Sequence, residues 1–203
     1  MPFETSVFIN CPFDKDYVLL LRALTFTLQY LDFTPQVSQT LSSSTIRANQ
    51  IKEHIKSCKY SIHDLSRSRP LKRGDLPRFN MPYELGLDLG AAEYGGKKLQ
   101  TKRTLILETD RFHYQKVLSD ISGQDIENHN DDPQTLVTKV RNWISNNSID
   151  IVIGSNQIWI AFNQFNADLL TNLSPTYPKK DIDEMPISDY MKFAKDWINK
   201  FKI

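Results

Sequence analysis

The chain is poor in cysteine: Cys11 and Cys58 are the only two among 203 residues. That excludes a disulfide framework and any metal cage built from cysteine alone. It also lacks an excess of either charge, with 25 Lys and Arg against 24 Asp and Glu and a formal net charge of +1. Such a balance offers no global attraction for a polyanion, so nucleic acid is not an expected substrate. No apolar run approaches the ~18 residues of a membrane span. Met1-Pro2-Phe3-Glu4-Thr5 has neither the basic nor the apolar stretch of a signal peptide. The expectation is a soluble, cytoplasmic protein with no membrane partner. The usual motifs are missing too: G-x-G-x-x-G, the P-loop pattern, H-E-x-x-H, C-x-x-C and G-x-S-x-G. His54, His63, His113 and His129 show no metal-ligand spacing, and no metal is expected.

What remains is an ordinary globular composition, 40% hydrophobic, 11% aromatic and 24% charged, which excludes wholesale disorder and a fibrous fold. The first two thirds alternate strand-like and helix-like segments. Ser6 to Cys11, Phe33 to Val37, Tyr60 to Leu65 and Arg103 to Glu108 read as strands, the second as an edge strand because Pro35 interrupts it. Helices are expected from Asp16 to Tyr30, on the stripe Ile46, Ile51, Ile55 and Cys58, from Met81 to the Gly95-Gly96 stop, and after Asp132-Pro133. This βα repetition predicts a mostly parallel sheet with helices on both faces, and ligands beyond the carboxyl ends of its strands. Tyr114 to Asn130 is polar and fits no element clearly. Ile149 to Ile153 reads as a short strand, followed by helices capped by Ser155 and Ser188. The expected organisation is an α/β domain over 1–147 and a helical appendage over 148–203, packed on the core or on a partner.

Four constellations carry possible chemistry. Glu84 opens a helix beside Asn80, Met81, Pro82 and Tyr83. A fixed carboxylate there can stabilise, or attack, the cationic anomeric carbon that forms when a nucleoside's C–N bond breaks. It can equally be a helix-start carboxylate that suits the macrodipole. Gly86 and Gly90, four apart, share one helical face and would admit a close neighbour. Asn10, Pro12, Phe13 and Asp14 end the first strand. Asn10 can bond a ribose or base and Phe13 can stack, while Asp14 reads equally as a turn or cap residue. Ser43, Ser44 and Arg47 open the second helix and can hold a phosphate or simply cap it. Asp64 and Ser66 end the third strand, where Asp64 can bind ribose or orient Glu84. Arg67, Arg69, Lys72, Arg73 and Arg78 crowd a loop that can neutralise phosphates or be merely solvated. Cys11 has Pro12 behind it and no histidine at a recognisable spacing, which argues against a cysteine nucleophile. His63 reads as a packed or surface histidine.

Val7-Phe8-Ile9-Asn10-Cys11-Pro12-Phe13-Asp14, Ile62-His63-Asp64-Leu65-Ser66 and Asn80-Met81-Pro82-Tyr83-Glu84-Leu85-Gly86 together resemble the TIR-like and nucleoside 2-deoxyribosyltransferase-like group. The resemblance implies a flavodoxin-like three-layer sandwich with Glu84 in the chemical role. It implies cleavage or transfer at the glycosidic bond of NAD or another nucleotide, which is substrate and not cofactor. It further implies a role in bacterial anti-phage defence and assembly as a homo-oligomer or with a defence-system partner. Asn10-Cys11-Pro12-Phe13 is nearer the transferase branch, and Tyr83 stands beside Glu84 where TIR domains usually carry a tryptophan ahead of it. The competing expectation is a non-catalytic TIR-like module that binds a nucleotide signal or a partner protein.

Overall fold

A computed structural model of the chain describes residues 2–37, 47–67, 76, 78–110, 118–121, 126–148 and 151–202. Five strands lie among the described residues: β1 (Ser6–Asn10), β2 (Thr34–Val37), β3 (Tyr60–Asp64), β4 (Arg103–Glu108) and β5 (Ile126–Asn128). They form one sheet of order β2-β1-β3-β4-β5, and every pairing is parallel. This is the flavodoxin-like order, so the expected α/β class is present. β1 and β3 are buried along their whole length, as central strands of a parallel sheet must be. β2 alternates buried and half-buried residues at the sheet edge, where Pro35 removes no needed donor. The chain leaves β1 for β2 on one side and returns to β3 on the other. The switch point therefore lies between the carboxyl ends of β1 and β3, where Asn10 pairs in register with His63.

Seven α-helices lie among the described residues: α1 (Val18–Tyr30), α2 (Arg47–Ser57), α3 (Asn80–Tyr94), α4 (Pro133–Asn147), α5 (Ser155–Leu173), α6 (Lys179–Asp183) and α7 (Ile187–Phe201). None is long and apolar enough to cross a membrane. The chain divides into two compact units, residues 1–18 with 33–132 and residues 19–32 with 133–203. α1 and α4, which the sequence groups with the strands, thus fall with the C-terminal helices.

In the first unit α3 supplies two apolar clusters. Met81 and Leu85 pack with Leu65 and Ile106, with Leu89 beside them. Leu87 and Ala91 border Phe8, Ile51, Ile55 and Cys58, so Cys58 is core as its stripe position implies. The second unit is built on aromatic packing. Phe26 of α1 has its ring centroid 5.7 Å from Tyr30, 5.6 Å from Phe162 and 5.5 Å from Phe165, and Phe165 meets Tyr190 at 5.3 Å. Each such pair contributes ~0.5–1.5 kcal/mol beyond its buried area.

Several local expectations are corrected. β5 occupies the polar stretch that matched no element. Residues 151–154 form no strand, while 149 and 150 lie outside the described residues. Gly154 and Pro186, not Ser155 and Ser188, precede α5 and α7, and neither makes a side-chain cap. α1 begins at Val18 after a short 3-10 turn over Lys15–Tyr17. α3 begins at Asn80, so Pro82 lies in its first turn but is not its first residue, and Glu84 lies in its second turn. A Cβ at Gly86 or Gly90 would meet nothing within 4 Å, so neither glycine is there to admit a close neighbour within the protein.

Candidate functional site

The switch point is organised first by Asn10, at the carboxyl end of β1. Its Nδ2 lies 2.9 Å from the Met81 carbonyl and 2.9 Å from His63 Nδ1. A carbonyl can only accept, so the amide nitrogen must face it, and the second N–H then donates to His63 Nδ1. His63 consequently carries its proton on Nε2, which points at Asp88 Oδ2 at 3.3 Å. Asp88 also accepts from Ser61 and, at 3.1 Å, from Thr104. Its Oδ1 pairs with Lys102 Nζ at 3.0 Å, both side chains being fully buried. Burial opposes the Asp88 charge, but His63, Lys102 and Ser61 prevail and hold it well below the usual carboxylate range. Lys102 is completed by the carbonyls of Ile55 at 3.1 Å and Cys58 at 2.6 Å. One buried polar chain thus ties β1, β3, β4 and α2 to the first turn of α3.

Asp64, at the end of β3, is the centre of a second buried network. Its Oδ2 accepts from Tyr17 at 2.5 Å and His129 Nε2 at 2.9 Å. Its Oδ1 accepts from the Ser66 backbone N–H at 2.8 Å and the Ser66 hydroxyl at 2.5 Å. His129 Nδ1 accepts from the Asp131 N–H at 3.1 Å, so His129 donates through Nε2. That turn requires left-handed backbone at Asn130 (φ 54°) and Asp131 (φ 53°), residue types that tolerate it. Burial would raise the Asp64 pKa, yet the bonds from His129, Ser66 and Tyr17 win and lower it. Asp64 is a fully engaged, ionised anchor with both oxygens committed inside the protein.

Glu84 is also buried but differs in its partners and in the direction of its titration. It is 4% exposed, and its Oε2 is buried with no hydrogen-bond partner among the described residues. Burial pushes its carboxyl up to about 7, with the positive charge of Arg47 acting in the opposite sense. The helix-dipole reading does not account for it, because α3 has no acid in its first turn. A buried carboxyl oxygen without a hydrogen bond costs stability, and groups perturbed in this way cluster at functional sites.

The other predicted residues fall into three groups. Cys11 is 1% exposed, and burial followed by the charges of Asp64, Glu84 and Asp14 pushes its thiol well above the ordinary range. Those three carboxylates therefore lie around one point at the end of β1, and the thiol itself is inert. Arg47 stands with its guanidinium 6.0 Å from the Phe13 ring, so Phe13, Arg47 and Glu84 share a neighbourhood. Asn80 and Tyr83 are exposed on α3, while Pro12 and the Met81 side chain are buried. Asp14 holds the N-cap position of the 3-10 turn, where its carbonyl accepts the Tyr17 N–H at 3.1 Å, but its side chain makes no cap bond and pairs instead with Arg67 at 3.3 Å and Arg78 at 3.7 Å. Two cations of the basic loop are thus engaged with an acid. Ser43, Ser44, Arg69, Lys72 and Arg73 lie outside the described residues.

The sequence reading missed His129, Tyr17 and Lys102 as members of these networks and gave His63 only a packing role. His129 sits in the stretch that matched no element, and no local spacing links it to Asp64, which is 65 positions away. Comparison with protein-family models, curated proteins and solved structures finds no match.

Proposed function

We propose that this protein is an N-glycosidic-bond enzyme acting on NAD or a related nucleotide, with Glu84 at the anomeric carbon of the substrate. The observation that carries the reading is the buried Glu84 carboxyl, whose Oε2 has no hydrogen-bond partner among the described residues, beside the switch point of a flavodoxin-like sheet. When the C–N bond breaks, its electron pair leaves with the base and C1′ becomes cationic. Ionised Glu84 stabilises that carbon or bonds to it. Water or an acceptor hydroxyl then forms the new C1′–O bond and gives up its proton to the freed carboxylate or to solvent. In this reading Arg47 meets a phosphate and Phe13 a base.

The surroundings of Glu84 favour one kind of leaving group. A neutral purine must be protonated as it departs, which needs a second acid. Asp64 is ionised and committed to four donors, and the Cys11 thiol stays protonated far above neutral pH. The nicotinamide of NAD is already a cationic N-glycoside and leaves neutral without a proton. A site with one available carboxyl among the described residues suits it best.

The low exposure of Glu84 favours a second reading, a module that binds a nucleotide signal without turnover and assembles with copies of itself or with a partner protein. The two readings separate on incubating the full chain with NAD, ATP and deoxynucleosides, alone and with a defence trigger. The enzyme reading expects nicotinamide release from NAD that falls at least ~100-fold in Glu84→Gln. Equal release by both proteins, or calorimetric binding of ADP-ribose with no product under any condition, would sink it. A bacterial anti-phage role belongs to the same proposal, and its readout is plaque formation on cells expressing wild type or Glu84→Gln.

A further inference from the structure

We propose that the groove formed by the end of α5 with α6 and α7 is a docking site for a basic, amphipathic segment of a partner protein. Two adjoining hollows of about 530 and 370 Å³ share Leu173, Phe193 and Asp196 and make one continuous groove. Each falls within the ~300–1,000 Å³ typical of binding pockets. The first is lined by Leu173, Tyr177, Ile182, Met185, Pro186 and Phe193, and the second continues over Leu169 and Trp197. Tyr177 is 51% and Phe193 41% exposed. Single exposed aromatics are ordinary, but aromatics clustered along a concave apolar surface mark a contact site.

The charges select the occupant. Asp181, Asp189 and Asp196 line the groove, against Lys192 in the first hollow and Lys200 in the second. Lys192 is already held 3.0 Å from Asp189 Oδ1. Asp181 and Asp196 make no ion pair among the described residues, and with Lys200 counted against them the lining keeps one net negative charge beside its apolar residues. A complementary segment presents apolar anchors at helical spacing with Lys or Arg beside them. A hydrophilic cation would leave the apolar surface wet, and an acidic or neutral helix would leave the groove's net negative charge unanswered. The surface is distinct from the Glu84 neighbourhood and does not depend on the function proposed for it.

The test titrates the full chain with an amphipathic leucine–lysine peptide and with a leucine–glutamate peptide of the same pattern. Affinity is read by calorimetry and the Trp197 indole N–H by NMR, assigned with Trp197→Phe. The leucine–lysine peptide is expected to bind and shift Trp197, more weakly as salt rises, and the leucine–glutamate peptide not to bind. Phe193→Ser, at an exposed position, lowers the affinity about tenfold or more with an unchanged melting temperature. Asp181→Lys with Asp196→Lys reverses the peptide preference. Equal binding of both peptides, an unmoved Trp197, or unchanged affinity in these variants overturns the proposal. So does sedimentation showing wild type to self-associate and Phe193→Ser not to, which would make the occupant a second copy of the chain.

Discussion

Glu84 and Asp64 are both buried acids at the same sheet edge, yet their surroundings drive them in opposite directions. Asp64 is held ionised by the donors around it, whereas burial, only partly opposed by Arg47, raises Glu84 to about 7. The difference has a measurable sign. A carboxyl whose folded pKa exceeds its ordinary value of 4.5 binds its proton more tightly when folded. Its contribution to stability is complete below about pH 4.5 and is lost as pH rises through about 7. Glu84→Gln is therefore expected to stabilise the fold at pH 8 by on the order of 1–2 kcal/mol, allowing for solvent screening, with no gain at pH 4. Denaturant melts at the two pH values check this; a loss of stability at pH 8 would make Glu84 a structural acid. Arg47 acts on Glu84 from an exposed position. Arg47→Ala should therefore move the Glu84 titration upward, as followed by carboxyl NMR, and carry the low-pH limb of any glycosidase activity with it. An unmoved titration would remove Arg47 from the neighbourhood.

At the scale of elements, α3 is the part whose placement matters. Its first turn is held by Asn10 through the Met81 carbonyl, three residues before Glu84. Asn10→Leu keeps the approximate size but leaves His63 Nδ1 and that carbonyl without their donor. A cost of ~1–3 kcal/mol follows, read by chemical denaturation. Activity should fall further than stability explains, because the turn that leads into Glu84 loosens. Within the same helix Gly86 and Gly90 have open space around their Cβ positions. Gly86→Ala and Gly90→Ala are each expected to stabilise α3 by ~0.5–1 kcal/mol. If Gly86→Ala folds better but turns over nucleotide more slowly, the glycine serves the substrate.

Across the whole molecule the two units are held by different means. The first couples a parallel sheet to buried polar chains through Asp64 and Asp88, where removing one partner leaves a charge uncompensated. The second relies on aromatic contact around Phe26. Phe26→Ala leaves a cavity among Tyr30, Phe162 and Phe165 and is expected to cost ~3–5 kcal/mol, seen as a lowered midpoint in thermal or denaturant unfolding. A cost under ~1 kcal/mol would show that these rings pack loosely.

Much of this architecture is written locally. Alternation of apolar β-formers with leucine and isoleucine stripes determined four strands and most helices, because period and residue type act over a few positions. Pro35 alone marked β2 as an edge strand, and Glu84 stood out within its own segment. The three-residue β5 was illegible because its pairing with β4 supplies what its polar sequence lacks. The start of α3 was misjudged because tertiary bonds at Met81, absent from any cap rule, hold its first turn. Membership of α1 in the helical unit comes from contacts made by Phe26 more than a hundred residues away in sequence. The roles of Asp64 and Glu84 were undecidable in sequence for the same reason. Whether a buried acid is an anchor or a free reagent depends on donors such as His129, Tyr17 and Ser66, and only the fold brings those to one carboxylate and withholds them from the other.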